Sequence, residues 1–208
     1  MAYLKQVPVG PMQNFAYLLG PDAGAECAVV DPGWDAAGLL AAAQADGRRI
    51  VCAVLTHGHF DHAGGLKDLL QAGHLPIYAH EGDARALAAQ LPGVKPVRDG
   101  EKLLLAGLEA EVLHTPGHTP GSMCLLAAGN LLTGDTLFVD CCGRTDLPGS
   151  DPSAMHASLR RLAALPKDTV VWPGHDYGDR PSGPLGDLLK INPYLAAATL
   201  DEFLRLQG

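Results

Sequence analysis

The chain has 208 residues, 47% hydrophobic and 18% charged, with a formal net charge of -8. That is enough apolar material for a sizeable core, and it excludes both a disordered chain and a cation-dense nucleic-acid surface. No run of about 18 apolar residues occurs, and "MAYLKQVPVG" lacks a basic stretch ahead of a long apolar one, so no membrane span or export signal is expected and the protein is read as cytoplasmic.

The N-terminal third opens with short β-rich runs, "LKQVPV", "FAYLL" and "ECAVVD", each bounded by Gly, Pro or Asp as turns require. An Ala/Leu-rich helix is predicted from Trp34 to Gln44, then the strand "IVCAVL", then helical spacing from His62 to Ala72. A strand "PIYA" and a helix from Glu81 to Gln90 follow, and after them a second β-rich block, "EKLLLAG", "EAEVLH", "SMCLLAA" and "NLLTG". A helix from Pro152 to Leu165 leads into the strand "TVVW", and the chain closes on helices interrupted at Pro193. Strands, β-α units, strands and a β-α unit in that order predict two sheets packed face to face with helices outside, a four-layer αββα sandwich of the α/β class. No repeat or linker divides it, so residues 1–208 are read as one domain. The five cysteines fall mostly inside predicted strands, as buried thiols in a reducing compartment would.

The chemistry begins at "THGHFDH", where His57, His59, Asp61 and His62 occupy six residues directly after a strand. Side chains two apart on an extended segment point the same way, so His57 and His59 can approach one ion. Asp61 and His62 turn into the next helix and can face a second. Imidazoles with a carboxylate suit zinc, iron or manganese. Further donors end strands in the second β block: His118 in "TPGHTPGS" and Asp135 in "LLTGDTLF", where Gly and Pro permit tight, fixed turns. His175 stands in "PGHDYG" after "TVVW".

Together "VVDPG", "THGHFDH", "TPGHTPGS", "GDTLF" and "PGHDYG" resemble the metallo-β-lactamase fold superfamily, and within it the glyoxalase II-like (hydroxyacylglutathione hydrolase-like) group. The motifs fall in the family's order over nearly the whole chain. The resemblance implies a two-metal site in which His57, His59 and His118 bind one ion, Asp61, His62 and His175 the other, and Asp135 bridges them. It also implies that Asp31 supports the metal loop from behind; a plain turn carboxylate before Pro32 is the alternative. His74, His80, His114 and His156 match no ligand position.

The activity implied is that of a metal-dependent thioester hydrolase, with two divalent ions (zinc first, iron or manganese otherwise) and a metal-bridging hydroxide oriented by Asp61. The partner implied is a small-molecule thioester, glutathione-based or related, with Cys142, Arg144 (after Cys142 and Gly143) and Tyr177 as substrate-binding residues. The alternative is a persulfide dioxygenase, which uses one iron on a set corresponding to His57, His118 and Asp135 and whose motifs resemble "CGRTD" and "HDY" more closely than those of glyoxalase II do in this loop. A non-enzymatic binding module predicts damaged ligands, and none of the seven is missing.

Overall fold

The computed structural model describes residues 2–207. The first sheet contains β1 (Ala2–Val9), β2 (Asn14–Pro21), β3 (Glu26–Val30), β4 (Arg49–Leu55), β5 (Ile77–His80) and β6 (Val94–Val97), side by side in that order. β1, β2 and β3 pair antiparallel as a meander; β3 to β6 pair parallel. Parallel neighbours need crossovers, and these are helical: α1 (Ala36–Ala45), the pair α2 (Phe60–Ala63) and α3 (Leu66–Ala72), and α4 (Glu81–Ala88).

The second sheet runs β12-β11-β10-β9-β8-β7. β7 (Lys102–Leu105), β8 (Leu108–His114), β9 (Met123–Ala127) and β10 (Asn130–Gly134) form an antiparallel meander. β11 (Val170–Pro173) joins parallel to β10 after α5 (Pro152–Ala163), and β12 (Gly183–Pro184) closes the edge. Helices α6 (Leu185–Ile191), α7 (Pro193–Ala196) and α8 (Leu200–Gln207) follow.

Alternation along the strands builds three cores between four layers. On β2, Phe15, Tyr17 and Leu19 face the second sheet, whereas Ala16 and Leu18 face α1 and α3. On β9, Met123 and Leu125 join the core between the sheets, and Cys124 turns outward to Met155, Leu159 and Leu162 of α5. The architecture is the expected αββα sandwich.

Two local departures, and the expected break at Pro193, have physical causes. The helical spacing from His62 to Ala72 is cut at Gly64–Gly65, where the Gly65 N–H donates to Gly33 O. A Cβ on Gly65 would lie 3.0 Å from that oxygen, so only glycine lets the chain pass so close to the turn after β3. β6 is absent from the predicted elements; it carries Pro96, which an edge strand tolerates. At the C-terminus Asn192 caps α7, its Oδ1 accepting from Leu195 N at 3.0 Å with Pro193 in the first turn, which is why the helices break there.

Candidate metal centre

The carboxyl ends of β3, β4, β8, β10 and β11 all open on the same edge of the sandwich, and the segments that leave them carry the predicted donors, His118 among them on the β8–β9 connection. His57 and His59 lie on the extended stretch after β4, and Asp61 and His62 lie on α2. His59 Nδ1 is 3.1 Å from His57 Nε2 and 2.9 Å from His118 Nε2. Opposite, His62 Nε2 is 3.2 Å from His175 Nε2, and Asp61 Oδ2 is 3.6 Å and 3.4 Å from these two nitrogens. Asp135 stands between the sets. Its Oδ2 is 3.5 Å from His118 Nε2, 4.0 Å from His57 Nε2 and 3.4 Å from His175 Nε2, and its Oδ1 is 3.3 Å from His62 Nε2. All seven predicted donors therefore converge.

The cluster has the dimensions and chemistry of a metal-binding site. Bonds of about 2.0–2.1 Å in a tetrahedron set donor atoms roughly 3.3 Å apart, which is the spacing seen within both sets. Asp135 Oδ1 is buried without a hydrogen-bond partner, and such an atom calls for a cation or an ordered ligand. Asp31, His57 and His62 also lie within reach of one another, but the oxygens of Asp31 are already committed. Asp31 Oδ1 accepts from Thr56 N at 2.8 Å, and Oδ2 from Thr56 Oγ1 at 2.6 Å and His62 Nδ1 at 3.0 Å. Asp31 thus orients His62 from behind the cluster.

Three other rings are held in the same way, each by the nitrogen turned away from the centre. His118 Nδ1 donates to Arg144 O at 2.9 Å and His175 Nδ1 to Met12 O at 2.9 Å, while His57 Nδ1 lies 3.2 Å from Thr56 Oγ1. Such partners fix ring orientation and tautomer. Asn14, which carried no signal in the sequence, donates from Nδ2 to Asp61 Oδ2 at 2.9 Å. Thr56, inside the "THGHFDH" motif but not singled out, braces both Asp31 and His57.

The charges are unevenly placed. Burial, reinforced by the nearby His62, drives His57 well below the ordinary imidazole range. Burial also works against a charged His62, but the facing Asp135 and Asp31 outweigh it and raise that ring well above the ordinary range. For His175, burial is outweighed by hydrogen bonds with Asp135 and Asp61, and the ring is pushed up to about 9. In metal-free protein at neutral pH, His62 and His175 therefore carry protons that an incoming cation must displace. Below the unfolded value of 6.5, protonated His175 contributes its full stabilisation to the metal-free fold, which is lost as pH rises through about 9. Metal affinity runs the opposite way. It is expected to rise by up to ~tenfold per pH unit for each proton displaced, the His175 contribution levelling off near about 9. Zinc titrations of chelator-treated protein across that range check this; a flat profile contradicts the ion-paired histidines.

Over the cluster lies a cavity of 740 Å³. Met12, Phe60, Phe138, Leu147 and Pro148 supply apolar wall, and Trp34 packs edge-on to Phe60 with centroids 5.3 Å apart. Tyr177 lines it too, its ring stacked on His175 at 4.6 Å. Arg144 sits at the rim, exposed, and is paired through Nε and Nη2 to both oxygens of Asp146 at 2.9 Å. The sequence alone did not show that this guanidinium has a carboxylate of its own. Cys142 lines the same cavity, and burial pushes its thiol up to about 12, so it is protonated and not a nucleophile at neutral pH.

A sandwich of this topology, carrying a His/Asp metal-binding cluster at the carboxyl ends of its strands, defines a class of metal-dependent enzymes. Residues 9–175 match the model of the Metallo-beta-lactamase superfamily, and the chain belongs to that superfamily. It is 43% identical over 153 residues to a hydroxyacylglutathione hydrolase of Alkalilimnicola ehrlichii, covering 72% of this chain and 56% of that relative. The chain thus spans little more than half the relative's length. Among solved structures it resembles ETHE1 from Myxococcus xanthus, with a TM-score of 0.89 at 28% identity, covering 99% of this chain and 89% of that one. It also resembles TTHA1623 in a di-iron-bound form, with a TM-score of 0.77 at 38% identity, covering 91% of this chain and 99% of that one.

Proposed function

We propose that the chain, acting as one domain in the cytoplasm, is a glyoxalase II-like thioester hydrolase whose substrate is a glutathione thioester or a close relative. The observation that carries this reading is the convergence of two complete donor sets on one shared carboxylate, Asp135. His57, His59 and His118 would hold one divalent ion, and Asp61, His62 and His175 the other. Zinc is the first candidate, and the relative solved with two irons makes iron the next. When bound, such ions lower the pKa of a water from 15.7 to about 7 and polarise a carbonyl oxygen.

The chain's own residues do the rest. Burial of Asp61 is outweighed by its hydrogen bond with His175 and the charge of His62, so its carboxyl lies below the usual carboxylate range. It is ionised at neutral pH and serves as an acceptor that orients a water, with Asn14 holding Oδ2 in place. Water adds to the thioester carbonyl carbon, the C–S bond breaks with its electron pair on sulfur, and carboxylate, thiol and one proton result. A thiol of pKa about 8.5 leaves without a strong general acid, consistent with a cavity whose cysteine is held protonated by burial. Among the described residues no helix is long and apolar enough to cross a membrane.

Arg144 would meet a glutathione carboxylate in place of Asp146. Arg144→Ala is expected to raise KM for S-lactoylglutathione about tenfold, the 1.4 kcal/mol of an accessible charge-assisted contact, and to leave KM for a thioester lacking glutathione within about twofold. Steady-state kinetics on both substrates decide it, and equal effects remove the glutathione assignment. The second reading, a one-iron persulfide dioxygenase on His57, His118 and Asp135, draws on the 3.5 Å and 4.0 Å spacings of that subset. It leaves Asp61, His62 and His175 converging without a role.

A further inference from the structure

His80 and His114 send no donor toward the metal centre, yet they belong to a brace beside it. Their rings stack with centroids 3.7 Å apart and planes 9° from parallel, and His114 Nε2 donates to Pro120 O at 2.9 Å. Asp83, in the first turn of α4, is a buried carboxylate within that brace. Its Oδ2 accepts from Gly58 N at 2.9 Å and Thr119 Oγ1 at 2.7 Å, and its Oδ1 accepts from Gly121 N at 2.8 Å. Gly58 lies between His57 and His59, and Thr119 follows His118. One side chain therefore ties together the two loops that deliver these three imidazoles. The approach is close enough to require glycine on both sides. A Cβ on Gly82 would lie 2.7 Å from Pro120 O, and one on Gly121 would lie 2.4 Å from Asp83 N.

The opposite donor set is supported by other residues. Asn14 holds Asp61, Asp31 holds His62 and Met12 O holds His175. Metal–ligand distances tolerate about ±0.2 Å, so a drift of a few tenths of an ångström between the two loops weakens the set they share and no other. We propose that Asp83 is a positioning residue that sets the metal affinity of the His57–His59–His118 half of the centre selectively. The proposal rests on the two-metal reading above.

The test measures zinc affinity by chelator competition on chelator-treated protein, in variants that retain one half of the centre. With His175→Ala, where the His57–His59–His118 half remains, adding Asp83→Asn is expected to weaken zinc binding 10- to 100-fold, as loss of a partner that orients ligands does. With His59→Ala, where the other half remains, adding Asp83→Asn should change the affinity by less than about twofold. Thr119→Val removes one of the three donors and carries the same test, with a smaller effect of the same selectivity, if Asp83→Asn does not fold. Equal weakening of both halves accompanied by a lower melting temperature of the metal-free protein would show a merely structural role and overturn the proposal. So would no change in either half. Failure of the unmodified protein to bind two ions would instead remove the two-metal reading beneath it.

Discussion

Asp135→Ala is expected to abolish hydrolysis and to leave the protein with at most one metal ion. Asp135 follows Gly134, whose φ of +48° bends the chain so that the carboxylate enters the gap between the two donor sets. Among the described residues it is the one side chain whose oxygens come within 3.3 to 4.0 Å of ring nitrogens from both sets. The protein has also arranged for it to be a full anion. Burial alone would raise its carboxyl, but the charge of His62 and the hydrogen bond with His175 outweigh burial and hold it well below the usual range. Removal strips His62 of its largest charge partner and leaves two half-sites with nothing shared. Loss of a partner that merely orients a ligand costs 10- to 100-fold in metal affinity or activity, so loss of the shared carboxylate should lower kcat by more than about a hundredfold. Asp135→Asn keeps the shape and removes the charge, and it should fail in the same way. Metal content by elemental analysis, alongside steady-state turnover, checks both variants; two ions with undiminished turnover would contradict the role.

His59→Ala is the second large effect. Its Nδ1 closes the first set, 3.1 Å from His57 Nε2 and 2.9 Å from His118 Nε2. Unlike the other six donor residues, which are buried, His59 is only half-buried, and it lies outside the hydrophobic cores. Truncation therefore removes a ligand without opening a cavity inside a packed core, the situation in which stability changes stay within about 0.5 kcal/mol. Expected are loss of about one metal equivalent, a drop of more than about a hundredfold in turnover, and a metal-free melting temperature within a few degrees of the unmodified protein. Retained turnover at the unmodified rate refutes the assignment.

What was legible in the sequence was what local spacing controls. The i, i+2 pair His57 and His59 could be placed on one ion because an extended segment sends both rings the same way, and the sandwich followed from the order of strands and β-α units. Asp31 was left between two roles, since "VVDPG" reads equally as a turn. Only the fold shows that its left-handed backbone, φ +50°, aims both oxygens at Thr56 and His62. Asn14, Met12 and Asp83 were missed because each acts across a large sequence separation: Asn14 reaches 47 residues to Asp61, and Met12 O receives the His175 N–H from 163 residues away. No local pattern encodes such partners. Arg144, expected as a substrate-binding residue, lies on the lining of the cavity, but its bidentate pairing with Asp146 depends on how the loop folds back on itself. The helical spacing beyond His62 holds within α3, where Leu66 and Leu69 are buried. It concealed the break at Gly64–Gly65, which is caused by the close passage of the Gly33 turn.

The decisive titration adds zinc stepwise to chelator-treated protein and follows thiol release from S-lactoylglutathione at each step. Two donor sets joined through Asp135 predict little activity until the second equivalent binds, and a plateau at two ions per chain. Full activity at one equivalent would contradict the shared centre, and so would the absence of thiol release in a protein that, loaded with a single iron, consumes oxygen on glutathione persulfide.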